Sequence, residues 1–267
     1  VILFPNCKIN LGLHILQKRE DGFHDLETVF YPIPLVDALE IIPANETNIS
    51  VSGIKIDTAE EDNICIKAYH LLKKDFVLPP VKIHLHKNIP IGAGLGGGSA
   101  DGAFTLLLLN KKFNLNLSGE ELNSYALTLG SDCPFFIKNK PCLASKQGEI
   151  LQEIDLDLSG YKLVLVNPYI HIYTGWAFSQ IEPNKNRTSL FNIIQQPIQK
   201  WKGILVNDFE EAIFNHYPAV KEIKEQLYRE GAMYAAMSGS GSTVFGLFNN
   251  NKIPPLTFPK YFVQWVM

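Results

Sequence analysis

The sequence predicts an α+β protein organised in two parts. Three observations carry this reading. Period-two, strand-like segments run from the N-terminus to residue 56. A strongly apolar helix then follows a glycine-dense loop at Pro90–Ala100. Short apolar strands and amphipathic helices resume beyond a boundary near residue 150. The 267 residues suffice for one large domain or two modest ones. A net charge of -3, with basic residues scattered, excludes a field that would draw the molecule to nucleic acid or anionic lipid.

KINLGLHIL alternates apolar and polar residues as a half-buried strand does, Asp21-Gly22 marks a turn, and ETVFYPI, DALEII and NISVSG continue as strands. Asp62-Asn63 is a polar cap for a helix over ICIKAYHLLKKDF. VKIHLHKNI returns to strand, and ADGAFTLLLLNKKF after the loop is a helix that must be buried. Ser118 and Glu121 form a capping box for a helix ending at Gly130, and Asp132-Cys133-Pro134 opens another, with proline tolerated in its first turn. LASKQGEILQEI is a hairpin turning at Gln147-Gly148. YKLVLVNP is a strand, TGWAFSQI a helix, EPNKNRTS a loop, and NDFEEAIFNHY and PAVKEIKEQLYREG are helices. AAMSGSGSTVFGLF reads as strand, turn, strand, and YFVQWVM as a last strand.

The four cysteines lack metal or disulfide-scaffold spacing, so they read as thiols of a reducing compartment. Neither a signal peptide nor a bilayer-spanning run is present, and the expectation is a cytoplasmic protein with no membrane partner. His84 and His86 share a strand face but lack a third ligand, so they read as edge-strand histidines, with no metal site.

PIGAGLGGGSADGA places five glycines between a strand and a helix. Without a Cβ, successive backbone N–H groups can converge on one anion, and the helix N-terminus adds its own free donors. Gly92-x-Gly94-x-x-Gly97 matches the dinucleotide fingerprint literally, but Pro90 interrupts the strand entry and the preceding elements lack a βαβ order. No G-x-x-x-x-G-K-[ST] exists, and no H-R-D, D-F-G or A-P-E set.

Three stretches together resemble the GHMP small-molecule kinases: Phe4-Pro5-Asn6-Cys7-Lys8-Ile9-Asn10-Leu11, the glycine loop, and SGSGSTVFGLF. Further signatures resemble one branch of that family: Arg19-Glu20-Asp21-Gly22-Phe23-His24, Glu61-Asp62-Asn63, and Leu129 to Phe136. The resemblance implies a two-domain fold with a strand-rich N-terminal domain (1–150), an α/β C-terminal domain (151–267), and a cleft for ATP and acceptor. It implies transfer of the ATP γ-phosphoryl to a hydroxyl of a cytidyl-diphosphate sugar alcohol in non-mevalonate isoprenoid precursor synthesis. Mg2+ would be carried by ATP, and the protein would be a monomer or weak homodimer. Alternatives are a kinase for homoserine, mevalonate or a sugar, and a nucleotide-binding protein without catalysis. Departures are Asn6-Cys7 in the opening, Phe23 for a common tyrosine, Asp101 where a neutral residue is frequent, and NNNKIPPLTFPK in place of a helix.

By the same resemblance, Asp132 is the general base and Lys8 the cation that orients it; the residues alone equally allow Asp132 as a helix N-cap. Pro90, Ile91, Gly92, Ala93, Gly94, Leu95, Gly96, Gly97, Gly98, Ser99 and Ala100 would hold the phosphates, and Asn63 and Lys87 the adenosine, with Lys87 also readable as a surface strand lysine. Asn10, Phe23, His24, Thr174 and Phe178 would hold the acceptor, with Phe178 equally readable as core.

Overall fold

The computed structural model describes residues 1–249, 256–259 and 262–267. In chain order the elements are β1 (Ile2–Leu3), β2 (Asn6–Lys18), β3 (His24–Val36), β4 (Ala38–Pro43), β5 (Asn48–Gly53), α1 (Ile64–Lys73), β6 (Val81–Lys87) and α2 (Gly97–Phe113). There follow α3 (Gly119–Leu129), α4 (Cys133–Lys138), β7 (Cys142–Lys146), β8 (Ile150–Glu153), β9 (Tyr161–Asn167), α5 (Thr174–Ser179) and α6 (Leu190–Ile194). The last are α7 (Phe209–His216), α8 (Pro218–Arg229), β10 (Tyr234–Met237), β11 (Val244–Asn249) and β12 (Val263–Val266). They form two compact units, each assembled from several stretches of chain. The first holds Val1–Lys8, Pro32–Ile91 and Gly96–Lys140; the second holds Ile9–Tyr31, Gly92–Leu95 and Pro141–Met267.

The first unit has a sheet of order β1-β4-β6-β5 with helices packed beside it. Burial along β6 alternates strictly, placing Val81, Ile83, Leu85 and Lys87 inward and Lys82, His84 and His86 outward. β6 lies between β4 and β5, so its histidines are not on an edge strand as expected. They bond across to β5 instead, His84 Nδ1 to Ser50 Oγ at 2.8 Å and His86 Nδ1 to Ser52 Oγ at 2.9 Å. β5 and β6 pair in parallel and are joined through α1, a βαβ order that the sequence reading had found missing before the loop. NISVSG, ICIKAYHLLKKDF and VKIHLHKNI do read as strand, helix and strand, but nothing local in them shows that the two strands pair side by side and in parallel.

The helices start where local chemistry places them. Asn63 Oδ1 accepts from the Cys65 N–H at 2.9 Å at the head of α1. Ser118 and Glu121 complete a reciprocal capping box on α3. α2 packs against α1, α3 and α4 and against β4. It therefore buries Ala100, Ala103, Leu106, Leu108 and Leu109, as its apolar composition requires.

The second unit contains the sheet β10-β11-β9-β12 and the sheet β2-β3-β7-β8 apart from residues 6–8 of β2 and 32–36 of β3, which belong to the first unit. β7 and β8 form the hairpin expected at Gln147-Gly148, with Gly148 at φ 104°. β9 lies centrally, pairing antiparallel with β11 and β12. Its buried Val164 and Val166 join Phe209 and Ile213 of α7 and Val220, Ile223 and Leu227 of α8 in one core. The α8 residues recur at helical spacing, with Pro218 in the first turn.

Two further expectations change. β2 is buried continuously from Cys7 to Ile15 rather than on alternate residues, because Lys8, Asn10 and His14 are also enclosed. α6 went unread, its five residues being too short to show a period. Asn250–Pro255, where the segment NNNKIPPLTFPK departs from the family helix, lies outside the described residues; Leu256–Pro259 has no regular structure. Among the described residues, no helix is long and apolar enough to cross a membrane.

Candidate active site

In the first unit the chain delivers a cation, a carboxylate and a helix N-terminus to one place. Lys8, near the start of β2, has its Nζ 3.4 Å from Asp132 Oδ2, with side-chain exposures of 5% and 32%. Asp132 occupies the N-cap position of α4, yet its side chain makes no capping hydrogen bond. The carboxylate is therefore aimed at the lysine rather than at the helix. Beside them is Gly96, the N-cap of α2, at φ 69°. A Cβ placed there would lie 3.1 Å from Lys8 Cε and 3.0 Å from the Phe136 ring, so the lysine stem packs directly on the loop backbone. Gly98 is exposed with nothing within 4 Å of a notional Cβ, while Gly97 and Ala100 are buried. The first turn of α2 thus presents open backbone donors on one side and is anchored on the other, which suits an anion.

Lys87, expected at the adenosine, lies on the buried face of β6. Its Nζ ion-pairs with Asp37 and, at 2.7 Å, with Asp101, and its side chain is 2% exposed. The ammonium is enclosed by two carboxylates. The parity of β6 carried this signal, since Lys87 falls on the face of Val81, Ile83 and Leu85. A lysine on a buried face requires a buried partner. Asp37 went unnoticed in the sequence, and Asp101 stood out only as an unusual acid. Asn63, also assigned to adenosine, is buried with its Oδ1 engaged in capping α1.

In the second unit the tip of the glycine loop, Gly92–Leu95, lies against the turn between β10 and β11. Ser238 Oγ donates to Gly94 O at 2.7 Å, and the Thr243 N–H points at Ala93 O at 3.4 Å. Gly94 has φ 79°, and a Cβ on it would overlap Ser238 O at 1.9 Å. The turn is itself braced by Asn207, whose Nδ2 donates to Gly239 O at 2.8 Å and to Met237 O at 3.1 Å. Asn10 joins this network: its N–H donates to Ser238 Oγ at 3.2 Å and its Nδ2 to Thr28 Oγ1 at 2.9 Å. Ser238, Ser240 and Asn207 were not singled out in the sequence, although serine alternating with glycine from 238 to 242 was a visible signal.

The same unit carries the aromatic residues. Phe23 is 59% exposed at a turn held by the Arg19–Asp21 ion pair of 2.7 Å, with the Phe23 N–H donating to Asp21 Oδ1 at 3.1 Å. His24 stacks on Phe178 with centroids 4.9 Å apart and planes at 20°. Phe178 also meets Phe209 edge-on at 4.9 Å, so it packs against the core while its face holds His24 in place. Burial, then the charge of Lys18, holds the His24 imidazole below its usual pKa. A neutral imidazole can both donate and accept a hydrogen bond. Thr174 Oγ1 lies 3.1 Å from Ser240 Oγ.

Residues 63–140 match the description "GHMP kinases N terminal domain", and residues 194–254 match "GHMP kinases C terminal". A protein of Bacteroides fragilis (strain YCH46) named 4-diphosphocytidyl-2-C-methyl-D-erythritol kinase is 55% identical over 98% of this chain and 97% of its own length. The chain belongs to the GHMP kinase family. Among solved GHMP kinase structures, one described as 4-(cytidine 5'-diphospho)-2C-methyl-D-erythritol kinase superposes with a TM-score of 0.79 at 31% identity, covering 92% of this chain and 90% of that one. The L. major mevalonate kinase complexed with R-mevalonate reaches 0.71 at 17% identity, covering 100% and 95%, and at that distance it shows the fold alone.

Proposed function

We propose that this protein transfers the γ-phosphoryl group of ATP to the 2-hydroxyl of 4-diphosphocytidyl-2-C-methyl-D-erythritol, giving the 2-phosphate and ADP in non-mevalonate isoprenoid precursor synthesis. The observation that carries the reaction type is the Lys8–Asp132 pair at 3.4 Å, its lysine stem packed on Gly96 at the N-terminus of α2. The specificity rests on the identity with relatives of that name.

Phosphoryl transfer asks for alignment and charge neutralisation more than for covalent chemistry. MgATP is the substrate, and its phosphates take free backbone N–H groups between Ile91 and Ser99. Asp132 accepts the proton of the attacking hydroxyl. Its partial exposure leaves it reachable, and its freedom from capping leaves an oxygen to accept. Lys8, nearly buried, holds that carboxylate in place and offsets charge developing on the phosphoryl oxygens. Phe23, His24 and Thr174 take the cytidine end of the acceptor, with Phe178 holding His24. Asn10 supports the turn at Ser238, and Asn63 positions the head of α1 toward the nucleotide.

The test is ADP release by the purified chain with a panel of acceptors. Turnover is expected with the cytidyl-diphosphate substrate and not with homoserine or mevalonate. Asp132→Asn and Lys8→Ala are each expected to lower kcat by roughly 10²–10⁴-fold while ATP still binds. Full kcat in Asp132→Asn would remove the base assignment, and preference for another acceptor would replace the substrate.

A further inference from the structure

We infer that Asp37, Lys87 and Asp101 form a buried ionic clamp that sets the position of the nucleotide loop, acting as positioning residues for ATP. The inference rests on the reading of residues 90–100 as the phosphate site.

The geometry ties both ends of the loop to one cluster. Before the loop, Asp37 Oδ1 accepts from the Asn88 N–H at 2.6 Å and the Ile89 N–H at 2.9 Å, while Oδ2 pairs with the Lys87 ammonium. After the loop, the same ammonium bonds Asp101 Oδ2 at 2.7 Å, within α2. A Cβ on Gly97 would come within 3.5 Å of Lys87 Nζ, so the cation sits beneath the opening turn of the helix. The chain leaves this unit after Ile91 and returns at Gly96, so both stems of the excursion are held by a single cation and its two carboxylates.

A buried charge fixes geometry because the alternative is an unpaired ion in a poorly solvating interior. All three side chains are at most 2% exposed. Water therefore has little access to weaken the links. Asp101 Oδ1 is buried without a hydrogen-bond partner among the described residues. Burial, with the Asp37 charge and against the pull of Lys87, pushes the Asp101 carboxyl up to about 7. Asparagine keeps the size and shape of aspartate but carries no charge, so Asp101→Asn removes the ion pair and leaves the packing.

The experiment measures the Kd of AMP-PNP with Mg2+ by calorimetry, beside the KM for ATP, the KM for the acceptor and Tm. Asp101→Asn is expected to bind AMP-PNP about tenfold more weakly, with the KM for ATP rising in step and the acceptor KM within about twofold. A lower Tm with unchanged AMP-PNP affinity would overturn the clamp, leaving the triad as a fold-stabilising feature. Equal weakening toward nucleotide and acceptor would overturn it too. If Asp101→Asn does not fold, the double variant Lys87→Met/Asp101→Leu replaces the link by apolar packing and leaves Asp37 on its backbone donors. Weaker AMP-PNP binding is again expected, and unchanged binding refutes the proposal. Wild-type protein that binds AMP-PNP yet makes no ADP with any acceptor would sink the kinase reading and not the clamp.

Discussion

Gly241→Ala tests how closely the loop tip must approach the β10–β11 turn. A Cβ at Gly241 would lie 2.1 Å from Ala93 C, 2.2 Å from Gly94 N and 2.5 Å from Ala93 O. All three atoms are backbone, so no side-chain rotation relieves the overlap. Gly241 is not in the positive-φ region, so alanine brings the clash without intrinsic backbone strain. Restoring an ordinary separation of 3.4 Å from the present 2.1 Å moves the tip by about 1.3 Å. That displacement breaks the Ser238 Oγ–Gly94 O bond of 2.7 Å, a loss of about 1 kcal/mol of stability. Misplacing a binding group by about 1 Å costs on the order of 10²-fold in rate, or ~2.7 kcal/mol of transition-state stabilisation. The assay is steady-state ADP release with ATP varied, run beside thermal melting. Gly119→Ala, which has open space around its Cβ, is the control. The expected result is a kcat/KM for ATP lower by about 10² with a Tm lower by a few degrees. A value within about twofold of wild type would refute the argument that this apposition positions the loop.

Phe23→Ala is expected to raise the acceptor KM about tenfold and leave Tm unchanged, since a 59% exposed ring adds little to the core; a raised KM for ATP instead would place Phe23 at the nucleotide. His14 is 2% exposed with neither ring nitrogen bonded among the described residues. Burial first, then Arg187, lowers its pKa from 6.5 to about 4, against Asp208. Below pH 6.5 the unfolded chain takes a proton that the folded one refuses, so stability present above 6.5 is lost toward pH 4, by up to ~3 kcal/mol. Urea midpoints from pH 7 to 4.5 should fall less steeply in His14→Phe, and parallel curves would contradict the reasoning. Ser118→Ala removes one arm of the α3 capping box and should cost about 1 kcal/mol by chemical denaturation, with catalysis unaffected; no change in midpoint would mean the box is redundant.

Much of the site was legible because its signals are short-range. Five glycines before an apolar run are a local pattern that suits a backbone-lined anion site, and the opening and closing motifs contain Lys8 and the serine-glycine turn. Asp132 was ambiguous, since Asp-x-Pro serves as well for a cap as for a base. The missing capping bond and the lysine at 3.4 Å are facts about residues 124 positions apart in sequence, which no local pattern contains. Phe178 was equally open. Its stacking on His24 and its edge contact with Phe209 place the ring against the core, and those partners come from distant strands and helices.

By itself the sequence settled what depends on neighbours within a turn or two: the Asn63 and Ser118 caps, the hairpin at Gln147-Gly148 and the apolar stripe of α8. Tertiary structure alone decided which buried polar groups meet. It enclosed Lys87 between Asp37 and Asp101, set Gly241 against Ala93, and left the His14 ring nitrogens without a hydrogen-bond partner among the described residues. The physical reason is that propensity, capping and periodicity act through a few adjacent bonds. The pairing of a buried charge is instead fixed by the packing that excludes water around it, and only the folded chain supplies that packing.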